Sequence, residues 1–128
     1  MPRRRDLARS ELEVARIVWK LGQATVREVV DALPPQRSLD FWTVQTYLRR
    51  LKAKGYLKAR REGRADVFVP AVKPASVIRD LIRDFVRRTF DGDALPLVQH
   101  LIDDRELSDK QIEELQAKLD DLKRRKRR

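Results

Sequence analysis

Helix start and stop signals crowd the first half of this chain, and they restrict the fold more than any other feature. Ser10-Glu11-Leu12-Glu13 has the form of a capping box, with a hydroxyl at the N-cap and a carboxylate three residues on. Apolar residues follow from Leu12 to Leu21, and Gly22 is a natural stop, so a first helix is expected over about 9–21. Thr25-Val26-Arg27-Glu28 repeats the box, and Pro34-Pro35 closes a short second helix over 26–33. After a loop at 36–39, Asp40 can cap a third helix running to Lys54, where Gly55 ends it. Then two short runs, Tyr56 to Arg60 and Ala65 to Val69, flank Arg61-Glu62-Gly63-Arg64. The central Gly and the β-branched second run predict a hairpin whose tip carries Arg60, Arg61 and Arg64.

The third helix has two distinct faces. Val44, Leu48 and Leu51, spaced four and three apart, form its apolar stripe. At about 100° per residue the opposite face carries Trp42, Thr46, Arg49 and Ala53, with Thr43, Gln45 and Arg50 on the flanks. That outer face is polar, basic and rich in hydrogen-bonding groups.

Charge divides the chain. Residues 1–70 carry 16 basic and 8 acidic side chains, residues 71–122 carry 8 and 12, and the last six residues, Lys123 to Arg128, are all basic. The formal net charge is +10. An excess of that size points first to nucleic acid as a partner. The sign changes near Pro70 and Pro74, which suggests two units, 1–71 and 72–128. With no Cys and one His, His100, the chain offers no disulfide, thiolate metal site or cysteine nucleophile. No catalytic residue, metal or cofactor is expected. No apolar run reaches the roughly 20 residues that span a bilayer, and Met1 to Arg5 leads into no apolar stretch. The expectation is therefore a cytoplasmic protein without membrane insertion.

The second unit reads as three amphipathic helices, at 76–90, 94–103 and 109–124. Ser108 and Gln111 form a third capping box, with Leu107 and Ile112 as a hydrophobic staple. Ile112, Leu115, Leu119 and Leu122 follow at heptad spacing. So few helices cannot bury such stripes alone. Phe85, Val86, Phe90, Leu97, Leu101, Leu115 and Leu119 are therefore expected to be shared between two copies of the chain. The basic tail from Lys123 suits the negative end of the last helix dipole.

Three helices followed by a hairpin with arginines is the order of a winged helix-turn-helix. The expected fold is thus mainly α with a small β-hairpin wing: a winged helix-turn-helix followed by a three-helix dimerisation region. In that arrangement the third helix enters the major groove and flanking cations meet phosphates. The DNA-binding candidates are Trp42, Thr43, Gln45, Thr46, Arg49 and Arg50 on the helix, with Arg60, Arg61 and Arg64 on the wing. Thr43, at the helix's first turn, is placed to favour a phosphate.

Several strings together resemble the penicillinase-repressor family of the BlaI/MecI type. They are Ser10 to Val14 with Ile17-Val18-Trp19, Thr25 to Val29, Thr43 to Leu51, Lys54-Gly55-Tyr56-Leu57 and Glu62-Gly63-Arg64. Leu107-Ser108 and Ile112 to Leu115 extend the likeness, which covers about residues 7–126. The resemblance implies a homodimeric repressor bound to double-stranded DNA at an inverted-repeat operator, with interlocking C-terminal helices. It also implies, for some members, inactivation by a membrane sensor-protease system, commonly at an Asn-Phe bond; by alignment that bond is His100-Leu101 here. Phe41 and Trp42 stand where the family often has proline and Thr or Lys.

Blander readings exist for single residues. Arg49 and Arg50 could be a solvated face, Trp42 could pack into a core, Trp19 belongs in one, and His100 reads as an interface or core histidine. Asp103, Asp104 and Glu106 read as a solvated loop. At the level of the whole chain, the alternatives are a non-specific nucleic-acid-binding architectural protein and a dimeric interaction adaptor. The first would favour exposed stacking aromatics, and aromatics are only 6% of this chain.

Overall fold

The computed structural model describes residues 6–127. Its elements, in order, are α1 (Arg9–Leu21), α2 (Val26–Ala32), α3 (Phe41–Ala53), β1 (Leu57–Glu62), β2 (Ala65–Pro70), α4 (Pro74–Phe90), α5 (Leu95–Asp103) and α6 (Asp109–Lys126). The fold is mainly α with one antiparallel hairpin, as the sequence predicts. It parts into two compact units, one ending at Arg79 and the other beginning at Asp80. The break falls inside α4. Val77, in the first turns of that helix, is already buried and belongs to the first unit.

In the first unit α1, α2 and α3 pack on one another, and the hairpin packs on α1 and α3. Val14, Ala15 and Val18 of α1, Val29 of α2, and Val44, Leu48 and Leu51 of α3 are fully buried. These are the residues that helical spacing puts on one side of each helix. Trp19 is half-buried, with its indole N–H enclosed and unpaired among the described residues.

The first capping box is not the one expected. The N-cap of α1 is Ala8, whose side chain has no acceptor, and only the reciprocal half of the box forms: the Ala8 N–H donates to Glu11 Oε1 at 2.9 Å. Ser10 and Glu13 instead meet Arg37, from the loop after α2. Its Nε donates to both Glu13 oxygens at 2.9 and 3.0 Å, and its Nη2 reaches Ser10 Oγ at 3.4 Å. A long-range ion pair, with one N–H shared between both carboxylate oxygens, thus takes the carboxylate that a local cap was expected to use. The boxes at Thr25/Glu28 and Ser108/Gln111 form as predicted, and Asp40 accepts the Thr43 N–H at 2.7 Å.

Glu11 is the one charged residue buried among the described residues, at 1% exposure. Lys54, the C-cap of α3, donates its Nζ to Glu11 Oε1 at 2.6 Å and to the Asp6 carbonyl at 2.8 Å. Burial is the largest single influence on the Glu11 carboxyl and raises its pKa. The hydrogen bonds from Lys54 and the Ala8 N–H, with the fields of Lys54 and Arg50, together outweigh it and hold the group below its ordinary value.

The hairpin pairs Leu57 with Pro70 through to Glu62 with Ala65, leaving Gly63-Arg64 as a two-residue turn. Gly63 has φ +61° and Arg64 does not share a positive φ, the pattern of a II′ turn. Only Arg64 therefore sits at the tip; Arg60 and Arg61 lie within β1, opposite Val67 and Asp66. A short bridge also ties β2 to the α1–α2 connection: Ala24 N–H donates to the Phe68 carbonyl at 3.0 Å, and Phe68 N–H returns to Ala24 at 2.8 Å.

In the second unit, α5 and α6 bury no residue within the single chain. Phe85, Leu101, Leu115 and Leu119 are exposed and Phe90 and Leu97 half-buried. Val86, expected on a shared face, is already buried in the single chain. Arg124 and Arg125 pair with Asp121 one turn back on α6, at 3.5 and 3.2 Å; Arg128 lies outside the described residues.

Lys54→Met strands a buried carboxylate and is expected to cost about 3–5 kcal/mol in urea unfolding, whereas Glu11→Leu with Lys54→Met is expected to recover much of that loss. Because folding lowers the Glu11 pKa, its contribution is complete above the ordinary carboxylate value of 4.5 and fades as pH falls through the lowered folded value. Glu11→Gln should flatten the acid limb of a stability-versus-pH curve.

Candidate nucleic-acid interface

The packing of α3 leaves its outer face to solvent. Trp42 is 71% exposed. Thr46, Arg49 and Arg50 are also exposed, whereas Thr43 and Gln45 are half-buried. Core packing, left open for Trp42 by the sequence, is not what the fold does with it. The side chain stands out from the first turn of the helix because Val44, two positions on, points inward.

These side chains are not equally free. The Thr46 hydroxyl donates to the Trp42 carbonyl at 3.0 Å, which commits its proton and leaves its oxygen to accept. Arg50 lies beside the Tyr47 ring, its guanidinium carbon 6.0 Å from the ring centroid. Thr43 serves the cap: its N–H, then its hydroxyl, hydrogen-bond Asp40 and hold that carboxyl below its ordinary value, with a smaller part from the Trp42 N–H. A negative group thus already occupies the helix terminus where Thr43 was expected to favour a phosphate.

Between the start of α2, the outer face of α3 and the hairpin lies an open groove of about 300 Å³. Arg27, Gln45, Arg49, Arg61 and Arg64 line it, with Phe41 and Phe68 among the apolar lining residues and Asp66 as its acidic member. The wing arginines divide here, because neighbouring residues of a strand point to opposite faces. Arg61 faces the groove and pairs with Asp66 at 3.4 Å. Arg60 does not line it; its Nη2 donates to Gln23 Oε1 at 2.6 Å and its Nε to Glu62 Oε1 at 3.0 Å. Arg64 at the turn and Arg49 on α3 have no ion pair or hydrogen-bond partner among the described residues.

Sequence reasoning missed Arg27 and gave Phe41 no structural role. The Arg27 guanidinium carbon lies 5.3 Å from the centroid of the Phe41 ring, a cation–π contact between α2 and α3. The available signal was the Thr25 box, which puts Arg27 in the exposed first turn of α2. Its partner is fourteen residues away, beyond any helical period.

The family model described as Penicillinase repressor matches residues 7–121. The chain belongs to the penicillinase repressor family. It is 30% identical over 122 residues to the penicillinase repressor of Bacillus licheniformis, covering 95% of each chain. Its first unit resembles the solution structure of the DNA-binding domain of the repressor BlaI, with TM-score 0.51 and 32% identity over 59% of this chain and 92% of that one. The apo crystal structure of MarR from E. coli shares the fold at 18% identity and TM-score 0.53, covering 91% of this chain and 78% of that one. As a member of the penicillinase repressor family, the chain is a DNA-binding repressor with a winged helix-turn-helix. In that fold α3 is the recognition helix and β1–β2 the wing.

Elsewhere, His100 and Leu101, the positions that the resemblance aligns with the cleaved bond, are exposed on α5, and the His100 ring lies 6.0 Å from that of Phe90. Among the described residues no group of three or more His, Cys, Asp or Glu is placed to hold a metal ion, and no helix is long and apolar enough to cross a membrane.

Proposed function

We propose that the chain works as a homodimer that represses transcription by binding a double-stranded inverted-repeat operator, one α3 per half-site. The observation that carries the reading is the groove itself. A helix face with Gln45 and Arg49 meets a wing edge with Arg61 and Arg64, with Arg27 beside them, and Thr46 is exposed next to Gln45 on the same helix. Thr, Gln and Arg supply the donors and acceptors that base edges require, and the wing cations neutralise phosphates. Such a protein acts where the DNA is, in the cytoplasm.

The second unit supports the dimer. Phe85, Leu95, Leu101, Ile102, Leu115 and Leu119 are each at least 42% exposed in the single chain. Fully burying one such side chain stabilises by about 1.5–3 kcal/mol, and a micromolar complex needs about 8 kcal/mol beyond its association cost. Several of these residues must therefore be covered together, which a second copy of the same face can do. A membrane sensor-protease partner fits the same reading, because cutting His100-Leu101 separates α6 from α4.

Selection from a random duplex pool is expected to enrich an inverted repeat with half-sites about 10 base pairs apart, or a multiple of that. Affinity for it should fall with salt, with a log–log slope of about −0.9 per phosphate neutralised. Equal affinity for scrambled duplex or single strands at physiological salt would instead support the architectural alternative.

The arginines should separate in a salt titration. Arg64→Ala and Arg61→Ala are each expected to weaken all duplexes alike and reduce the slope by about one. Arg60→Ala should change it less, since Gln23 and Glu62 already hold that side chain. Arg49→Ala should cost about 1–3 kcal/mol and relax preference at one base pair.

Leu115→Asp is expected to shift sedimentation at micromolar concentration from dimer to monomer and to weaken operator binding. A compact wild-type monomer at that concentration would rule out the dimer.

A further inference from the structure

We propose that Trp42 reads thymine through its C5 methyl group. The inference rests on the operator-binding reading above and names one base that the operator must contain.

Trp42, Thr46 and Arg49 stand at i, i+4 and i+7 of α3, so the indole shares the stripe that faces base edges rather than the flank. It is 71% exposed, an apolar surface left mostly uncovered. The ring is nonetheless held in place. Phe41 meets it edge-on, with centroids 5.4 Å apart and planes at 81°, and Arg27 caps the Phe41 ring from α2. Asp40 closes the helix start, so the backbone beneath the indole is pinned as well. Such a surface recovers free energy only against an apolar partner. Among the groups that base pairs show in the major groove, the thymine methyl is the one sizeable apolar group; cytosine offers only a hydrogen at the same carbon. An indole with a single N–H has little use for the others, and it can cover that methyl.

The test uses the full-length protein and the duplex enriched by selection. Each thymine is replaced in turn by uracil, which removes the methyl and leaves every hydrogen-bonding group. At one position per half-site, uracil is expected to weaken binding about fourfold, the worth of one buried methyl-sized group. In Trp42→Ala, whose circular dichroism and dimer content should be unchanged because the side chain is exposed, thymine and uracil duplexes should bind equally. Trp42→Phe should keep part of the discrimination.

The proposal fails if no uracil position matters in the wild type. It fails equally if the uracil penalty survives in Trp42→Ala, or if Trp42→Ala lowers affinity for all duplexes alike, the behaviour of an indole packed on sugar and phosphate. Failure to enrich any duplex would overturn the operator reading itself, and this proposal with it. That result is distinct from a well-defined operator that tolerates uracil throughout.

Discussion

A buried carboxylate sets the frame of the DNA-binding unit. Glu11, at the start of α1, accepts from Lys54, which closes α3. An unpaired charge in that position would be costly, so the two helix ends cannot part without stranding it. The pair holds the C-terminal end of α3 while Val44, Leu48 and Leu51 hold its inner face. With both constrained, the rotation of α3 about its axis is determined, and so is which residues it shows to solvent. The exposed row of Trp42, Thr46 and Arg49 is a consequence of that rotation.

The wing depends on a second tether. On its own a two-stranded hairpin is marginal in water. Here Ala24 adds a reciprocal pair of hydrogen bonds to Phe68, and Tyr56, Leu57, Val67 and Phe68 are buried. Its register then decides which arginine goes where. Because the turn takes only two residues, Arg61 falls on the groove side with Asp66, and Arg60 falls opposite, against Gln23. The second unit follows a different economy. Its helices α5 and α6 bury no residue within one chain, so their apolar faces stay exposed there.

Most of the helix limits were legible in the sequence because caps and stops act over three or four residues. Thr25 with Glu28, Asp40 with Gly55, and Ser108 with Gln111 each mark an end that the structure keeps. The apolar stripe of α3 was legible for the same reason. The exception, Ser10 with Glu13, shows the limit of that reasoning. The local pattern was present, but Arg37, twenty-four residues from Glu13, competes for the carboxylate with a charged N–H that both its oxygens accept.

By itself the sequence determined the order of elements, the two faces of α3 and the segregation of charge, all of which depend on spacing along a single segment. Only the tertiary structure decided which of those side chains act together. Glu11 with Lys54, Ala24 with Phe68 and Arg27 with Phe41 are pairs set far apart in the chain. No helical or strand period links them, and they meet because the burial of three apolar stripes leaves one way to bring the helices together. The same packing exposes Trp42, gathers Arg49, Arg61 and Arg64 around one groove and turns Arg60 away from it. Those assignments depend on the direction each side chain takes once its element is docked, and that direction is a property of the packed core.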